Sequence, residues 1–217
     1  MRDMGLDVKI CGLKTPETLD AALDAGADLV GFVHFPRSPR HLDLTSGAAL
    51  ARQVGRRARI VALVVDADDH LLEDVVAAFA PDLLQLHGHE TVERVAYIRG
   101  RFGREVMKAL PVAGPRDLDC VGAFAAVADR LLFDAKPPPG APLPGGNGLA
   151  FDWTLIASLD PGRPVMLSGG LDPISVSQAL ARTRVDGVDV SSGVESAPGV
   201  KSPEKIRAFI QAARAAS

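Results

Sequence analysis

Eight short β-branched runs alternate with alanine- and leucine-rich stretches along 217 residues, and two glycine-serine turns follow the last two runs. Together these predict an α/β protein: a single (β/α)8 barrel domain over residues 1–217, with a phosphate site at the C-terminal ends of strands 7 and 8. An open doubly wound sheet alternates in the same way but usually has five or six strands. Eight units without a break in composition favour closure.

The strand candidates cover residues 8–10, 29–33, 60–65, 83–86, 105–109, 130–133, 165–167 and 187–190, about 20–30 residues apart, as strand-helix units require. Between them, Thr15-Pro16-Glu17 opens a helix over 18–25 that Gly26 closes. Further helices are predicted over 45–54, 69–79, 91–99, 117–126, 174–181 and 203–215. Phe151-Asp152-Trp153 is expected to start another, with Asp152 as its cap and Trp153 packed inward. The segment 136–148, Lys-Pro-Pro-Pro-Gly-Ala-Pro-Leu-Pro-Gly-Gly-Asn-Gly, cannot be regular structure, because proline removes donors and glycine favours no single conformation. About 70 residues follow it, too few for a second α/β domain, so it reads as a loop at the barrel mouth able to cover a ligand.

Composition narrows the function. Hydrophobic residues make up 47% of the chain, enough for a large core, and the net charge of -3 with scattered cations gives no field for nucleic acid. No apolar run approaches the roughly 18 residues of a membrane span. The start, Met1-Arg2-Asp3-Met4-Gly5-Leu6-Asp7, lacks a secretory h-region. Cys11 and Cys120 cannot build a disulfide framework. A cytoplasmic protein is expected, without nucleic-acid or membrane partners, acting as a monomer or homodimer on a small phosphosugar.

In a barrel the strand C-termini surround the open mouth. Strand one ends at Cys11-Gly12, strand two leads to Pro36-Arg37-Ser38-Pro39-Arg40, and strand three to Asp66. Strand four leads to His87-Gly88-His89, strand five to Pro111 and strand six to Asp134. Strands seven and eight carry Ser168-Gly169-Gly170-Leu171 and Ser191-Ser192-Gly193-Val194-Glu195. Small residues there uncover backbone N–H groups that suit a phosphate dianion. Gly169, Gly170, Ser191 and Ser192 are the expected donors, with the 145–148 loop, Gly146 included, closing above. Asp189 fits less simply: an acid beside a dianion must be neutral, bonded elsewhere, or facing a sugar hydroxyl. His87, His89 and Asp66 match no strong metal spacing, so no metal site is assigned; His87 is expected to order the mouth through hydrogen bonds. Cys120, in a predicted helix, carries no partner signal.

Val8-Lys9-Ile10-Cys11-Gly12, Gly31-Phe32-Val33-His34-Phe35-Pro36-Arg37-Ser38-Pro39-Arg40, Gln85-Leu86-His87-Gly88, Leu132-Phe133-Asp134, Leu167-Ser168-Gly169-Gly170-Leu171 and the run from Asp189 to Glu195 occur in order and in register with the strands. So do Gly145-Gly146-Asn147-Gly148 and Phe151-Asp152-Trp153. From about residue 8 to residue 209 the chain resembles the phosphoribosylanthranilate isomerases of tryptophan biosynthesis. Two positions depart from that pattern: Asn147, where Thr or Ser is usual, and His34, where Phe is common. The resemblance implies an Amadori rearrangement of an aminoaldose to an aminoketose, with no cofactor and no metal. It implies Cys11 as general base and Asp134 as general acid, and places the anthranilate carboxylate on Arg40 rather than Arg37.

Those roles constrain the ionisation states. A free thiol is mostly protonated near neutrality and a free carboxyl mostly ionised, opposite to what the reaction needs. Burial is expected to raise Asp134, and nearby positive charge to lower Cys11. Strand alternation points Lys9 the same way as Cys11, into the barrel below it, where its charge is expected to favour a thiolate. Two other readings stay open at this point: a different sugar-phosphate reaction, which calls for metal ligands or a catalytic lysine, and a non-catalytic phosphosugar-binding barrel.

Overall fold

A computed structural model describes residues 5–141, 143–146 and 148–217. Eight parallel strands close on themselves in sequence order, β1-β2-β3-β4-β5-β6-β7-β8. They are β1 (Asp7–Cys11), β2 (Leu29–Val33), β3 (Arg59–Val64), β4 (Leu83–Leu86), β5 (Glu105–Val112), β6 (Arg130–Ala135), β7 (Val165–Leu167) and β8 (Gly187–Val190). The seam pairs Lys9 with Asp189 and Ile10 with Val190. Around the sheet run α1 (Pro16–Asp24), α2 (Leu44–Val54), α3 (Asp69–Phe79), α4 (Val92–Phe102), α5 (Val121–Val127), α6 (Val176–Arg182) and α7 (Pro203–Ala215).

The helices start where short polar side chains stop the backbone from going unpaired. Thr15, Asp43, Asp68, Thr91 and Ser202 each accept from an N–H of the first turn, and Pro16 and Pro203 sit just inside their helices. Alternation along the strands divides the apolar residues into two cores. Leu29, Val61, Leu83, Met107, Leu132 and Met166 fill the barrel, whereas Val30, Phe32, Leu84, Phe133 and Val188 face the helices.

At the N-terminal end of the barrel one device recurs. The aspartate just before each even-numbered strand (Asp28, Asp82, Asp129, Asp186) accepts at Oδ2 from the backbone N–H of Val8, Ile60, Val106 and Val165, at 2.7, 2.7, 3.0 and 2.7 Å. Each aspartate's own N–H donates back to the carbonyl of that same residue. Every odd strand is thus clipped to the even strand after it.

Three sequence expectations are corrected, and one element is added. The helix expected at 151–153 is a single 3-10 turn, Trp153–Ile156, with Asp152 capping it and Trp153 half-buried against the outer core; Pro161, Gly162 and Pro164 leave no room to extend it. The helix expected over 117–126 splits into a 3-10 turn, Pro115–Leu118, and the short α5. The helix expected from 174 begins at Val176, because Asp172 holds the N–H groups of Ile174 and Ser175 in a turn. After β8 the chain adds an unforeseen hairpin, β9 (Glu195–Ala197) and β10 (Val200–Lys201). No helix among the described residues is long and apolar enough to cross a membrane.

Candidate active site

One open cavity of about 750 Å³ lies at the C-terminal end of the barrel, and Cys11, Arg40, His87, Asp134, Gly169 and Ser192 are among the residues that line it. Gly146, Gly170, Asp189 and Ser191 line it too. The structure therefore brings every sequence-predicted site residue to one space. Asn147 lies outside the described residues. His34 turns away from the cavity: its Nδ1 lies 2.9 Å from the Leu42 carbonyl and its ring packs against His41 and Phe79. Arg37 is exposed. His89 extends into solvent beside Asp66, while His87 turns inward, so these three side chains do not converge.

Cys11 closes β1, and Gly31 beside it on β2 makes room for the sulfur. A Cβ at residue 31 would stand 3.0 Å from Cys11 Sγ and 3.2 Å from Lys9 Nζ. Lys9 is fully buried inside the barrel, as alternation requires, and donates to Asp189 Oδ1 at 2.8 Å. Asp189 also accepts from Ser168 Oγ at 3.2 Å. The expected thiolate does not follow. Burial pushes the Cys11 thiol above its ordinary value; Lys9 and Lys201 pull it down, but Asp189 opposes them. Lys9 is already committed to a carboxylate; burial lowers its pKa, but Asp189 and Cys11 together outweigh burial and raise it.

Asp134, near the end of β6, is buried, and its Oδ1 accepts from the Ala135 N–H at 2.9 Å. Its Oδ2 lies 3.3 Å from His87 Nε2. His87 Nδ1 in turn lies 3.0 Å from the amide nitrogen of Gln85. Gly145 covers this pair: a Cβ there would come within 2.6 Å of both Asp134 Oδ2 and His87 Nε2.

Arg40 is held by a partner that sequence reasoning passed over. Its Nε and Nη2 donate to the two oxygens of Glu195 at 2.7 and 2.9 Å, and Nη2 reaches the Gly146 carbonyl at 3.2 Å. Glu195 also accepts from Lys201 Nζ at 2.8 Å. Burial pushes the Glu195 carboxyl up, but Arg40 and Lys201 outweigh it and hold the group below the usual carboxylate range. Lys201 further donates to the carbonyl and hydroxyl of Ser191, and that hydroxyl donates to the Cys11 carbonyl. The Ser191 side chain and carbonyl are thereby engaged within the protein, which leaves its backbone N–H as the group able to meet a ligand. Gly169 and Gly170 adopt φ of 82° and 68°, where a side chain is disfavoured, and added Cβ atoms would strike Ala135 N at 2.6 Å and Ala150 at 2.5 Å.

The hairpin that carries Glu195 and Lys201 had no pattern to reveal it. Gln85 did leave a signal, as the lone polar residue in the buried strand Leu-Leu-Gln-Leu.

A parallel eight-stranded barrel with a thiol, a carboxyl and an arginine over one cavity at its strand C-termini is the architecture of a barrel enzyme. The family model described as N-(5'phosphoribosyl)anthranilate (PRA) isomerase matches residues 8–212. N-(5'-phosphoribosyl)anthranilate isomerases of Azorhizobium caulinodans and Bradyrhizobium diazoefficiens are 69% and 62% identical to the chain, which covers 93% and 95% of their lengths; each alignment spans 98% of the chain. The crystal structure of phosphoribosyl anthranilate isomerase from Thermotoga maritima superposes with a TM-score of 0.87 at 33% identity, covering 97% of this chain and 99% of that one. A phosphoribosyl anthranilate isomerase in complex with reduced 1-(o-carboxyphenylamino)-1-deoxyribulose 5-phosphate gives 0.85 at 32% identity, with the same coverage. The chain belongs to the N-(5'-phosphoribosyl)anthranilate isomerase family.

Proposed function

We propose that the chain isomerises N-(5'-phosphoribosyl)anthranilate to 1-(2-carboxyphenylamino)-1-deoxyribulose 5-phosphate, an Amadori rearrangement of tryptophan biosynthesis, with Asp134 as general acid and Cys11 as general base. The observation that carries this assignment is the meeting of a β1 thiol and a β6 carboxyl on one cavity. Asp134 protonates the furanose ring oxygen, the C1–O bond breaks, and the anilino nitrogen supplies the electron pair of a C1=N iminium. Cys11 as thiolate removes the C2 proton, giving an enolamine. The Cys11 thiol so formed returns a proton to C1, and the Asp134 carboxylate takes the enol proton, giving the ketone and restoring the acid. Protons and electrons balance, and the aminoaldose leaves as its aminoketose isomer.

The Cys11 thiol is not pre-ionised, because burial dominates over Lys9. The cationic iminium made by ring opening favours release of the Cys11 thiol proton to solvent, which returns it when the cycle closes, so the acid step prepares the base step. Phosphate is assigned to the backbone of Gly169, Gly170, Ser191 and Ser192, where glycine turns and small side chains permit close approach. Asp189 tolerates that dianion because Lys9 and Ser168 already engage its carboxylate. Arg40 presents its remaining N–H groups to the anthranilate carboxylate, since Glu195 occupies Nε and one Nη2 bond.

The assay is loss of fluorescence from freshly made phosphoribosylanthranilate with wild type, Cys11→Ser and Asp134→Asn. Turnover by wild type is expected, with losses on the order of 100-fold or more in both variants. Full activity in either variant removes that residue from its role.

A further inference from the structure

We propose that Gln85 and His87 are positioning residues for the acid step: Gln85 fixes the imidazole tautomer, so that His87 donates to the oxygen of Asp134 that loses its proton. This rests on the reading of Asp134 as general acid. The chain of contacts runs from inside the barrel to its mouth. Gln85, fully buried on β4, places its Nε2 3.0 Å from His87 Nδ1, and His87 Nε2 lies 3.3 Å from Asp134 Oδ2. An amide nitrogen has no lone pair to offer, so it donates and Nδ1 accepts. A neutral ring then carries its one proton on Nε2, directed at Asp134. The far end of the Gln85 amide, Oε1, is buried with no hydrogen-bond partner among the described residues. A leucine at 85 would avoid that orphaned oxygen, whose desolvation is costly. The amide therefore has to be accounted for by what its other end does, and among the described residues its other end hydrogen-bonds only His87.

The consequence is a hydrogen bond that strengthens along the reaction. The oxygen of a protonated carboxyl is a weak acceptor; the same oxygen in a carboxylate is a strong one. Oδ1 is already engaged by the Ala135 N–H, so charge released as the proton moves to the ring oxygen collects on Oδ2 and meets Nε2–H. Stabilisation that grows between ground and transition state raises kcat rather than lowering KM. The opposite tautomer would leave a bare Nε2 facing Oδ2, hold the proton on Asp134 and slow its release. Gly145 roofs the pair so closely that a side chain there would collide with both partners.

The test combines one spectrum with a mutant cycle. In wild type with 15N-labelled histidine, His87 is expected to show a protonated Nε2 and a bare Nδ1; the reverse overturns the proposal without any variant having to fold. Gln85→Leu and His87→Ala should each lose kcat on the order of 10- to 100-fold, below the full effect of the acid, with KM within about 3-fold of wild type. His87→Gln, whose amide can donate without a tautomer, should recover part of the His87→Ala loss. In that background Gln85→Leu should cost nothing further. Additive losses, or changes confined to KM, would overturn the relay in favour of a packing role. Asp134→Asn is run alongside: if it keeps activity, the acid assignment itself fails, whereas its inactivity beside unchanged Gln85→Leu turnover removes only the relay.

Discussion

The two ends of the barrel are built on opposite plans. At the N-terminal end one solution is repeated: an aspartate before an even strand clips the odd strand preceding it, through a side-chain bond one way and a backbone bond the other. At the C-terminal end no single device is repeated around the barrel. β1 supplies a thiol, β4 an imidazole and its amide support, β6 a carboxyl, and β7 and β8 lead into small-residue turns. Repetition suits a task that is the same at every strand pair, namely starting the ladder with no N–H unpaired. Variety suits a reaction in which every bond of the substrate needs a different partner.

That division predicts which variants harm turnover and which harm only the fold. The largest effect is expected at the mouth: Cys11→Ser should lose kcat on the order of 100-fold or more while its urea midpoint stays near wild type. A large drop in that midpoint would mean the thiol also serves the fold. Next comes Arg40→Ala, expected to raise KM about 10- to 100-fold, the worth of charge-assisted hydrogen bonds, with a smaller change in kcat. Unaltered KM would take the carboxylate off Arg40. At the other end, Asp129→Ala removes the partner of the Val106 N–H and should cost about 1–3 kcal/mol in urea unfolding, with kcat/KM unchanged at a temperature where the variant is folded. A fall in kcat/KM would show that the two ends are coupled.

The smallest effects come from titration. Because burial holds the Cys11 thiol above its ordinary value, kcat/KM should still be climbing with pH where a free thiol would already have ionised. A plateau reached below that point would contradict a neutral resting thiol. Glu195 works in the other sense. Its folded pKa is depressed, so the stability it contributes is complete above its unfolded value and is lost as pH falls through the lower, folded value. Acid unfolding of Glu195→Gln should be less steep across that window; an identical slope would mean the carboxylate is not held by Arg40 and Lys201.

Much of this was legible from residue order alone. Cys11 before Gly12 and Asp134 at the end of an apolar run could be placed at the mouth because strand alternation and strand polarity are local properties of the chain. Lys9 was correctly set below Cys11 by the same rule. What that rule could not supply was the environment: burial outweighs the pull of Lys9 on the thiol, and Asp189, which Lys9 meets across the seam 180 residues away, opposes it further. Glu195 and Lys201 escaped for a related reason, since a hairpin of three and two residues has too few positions to show a period. The four aspartates were in plain view, each directly before an even strand, but their common purpose exists only once the strands pair.

The clips have a consequence for how the molecule assembles. Each joins residues only 20 to 23 positions apart, so the entropy of closing such loops is small and strand pairs can form early. The seam between first and last strands joins residues 180 positions apart and sets β1, which ends in Cys11, beside β8, which carries Asp189. Appearance of turnover during refolding therefore reports the moment the cylinder shuts, later than the gain of secondary structure.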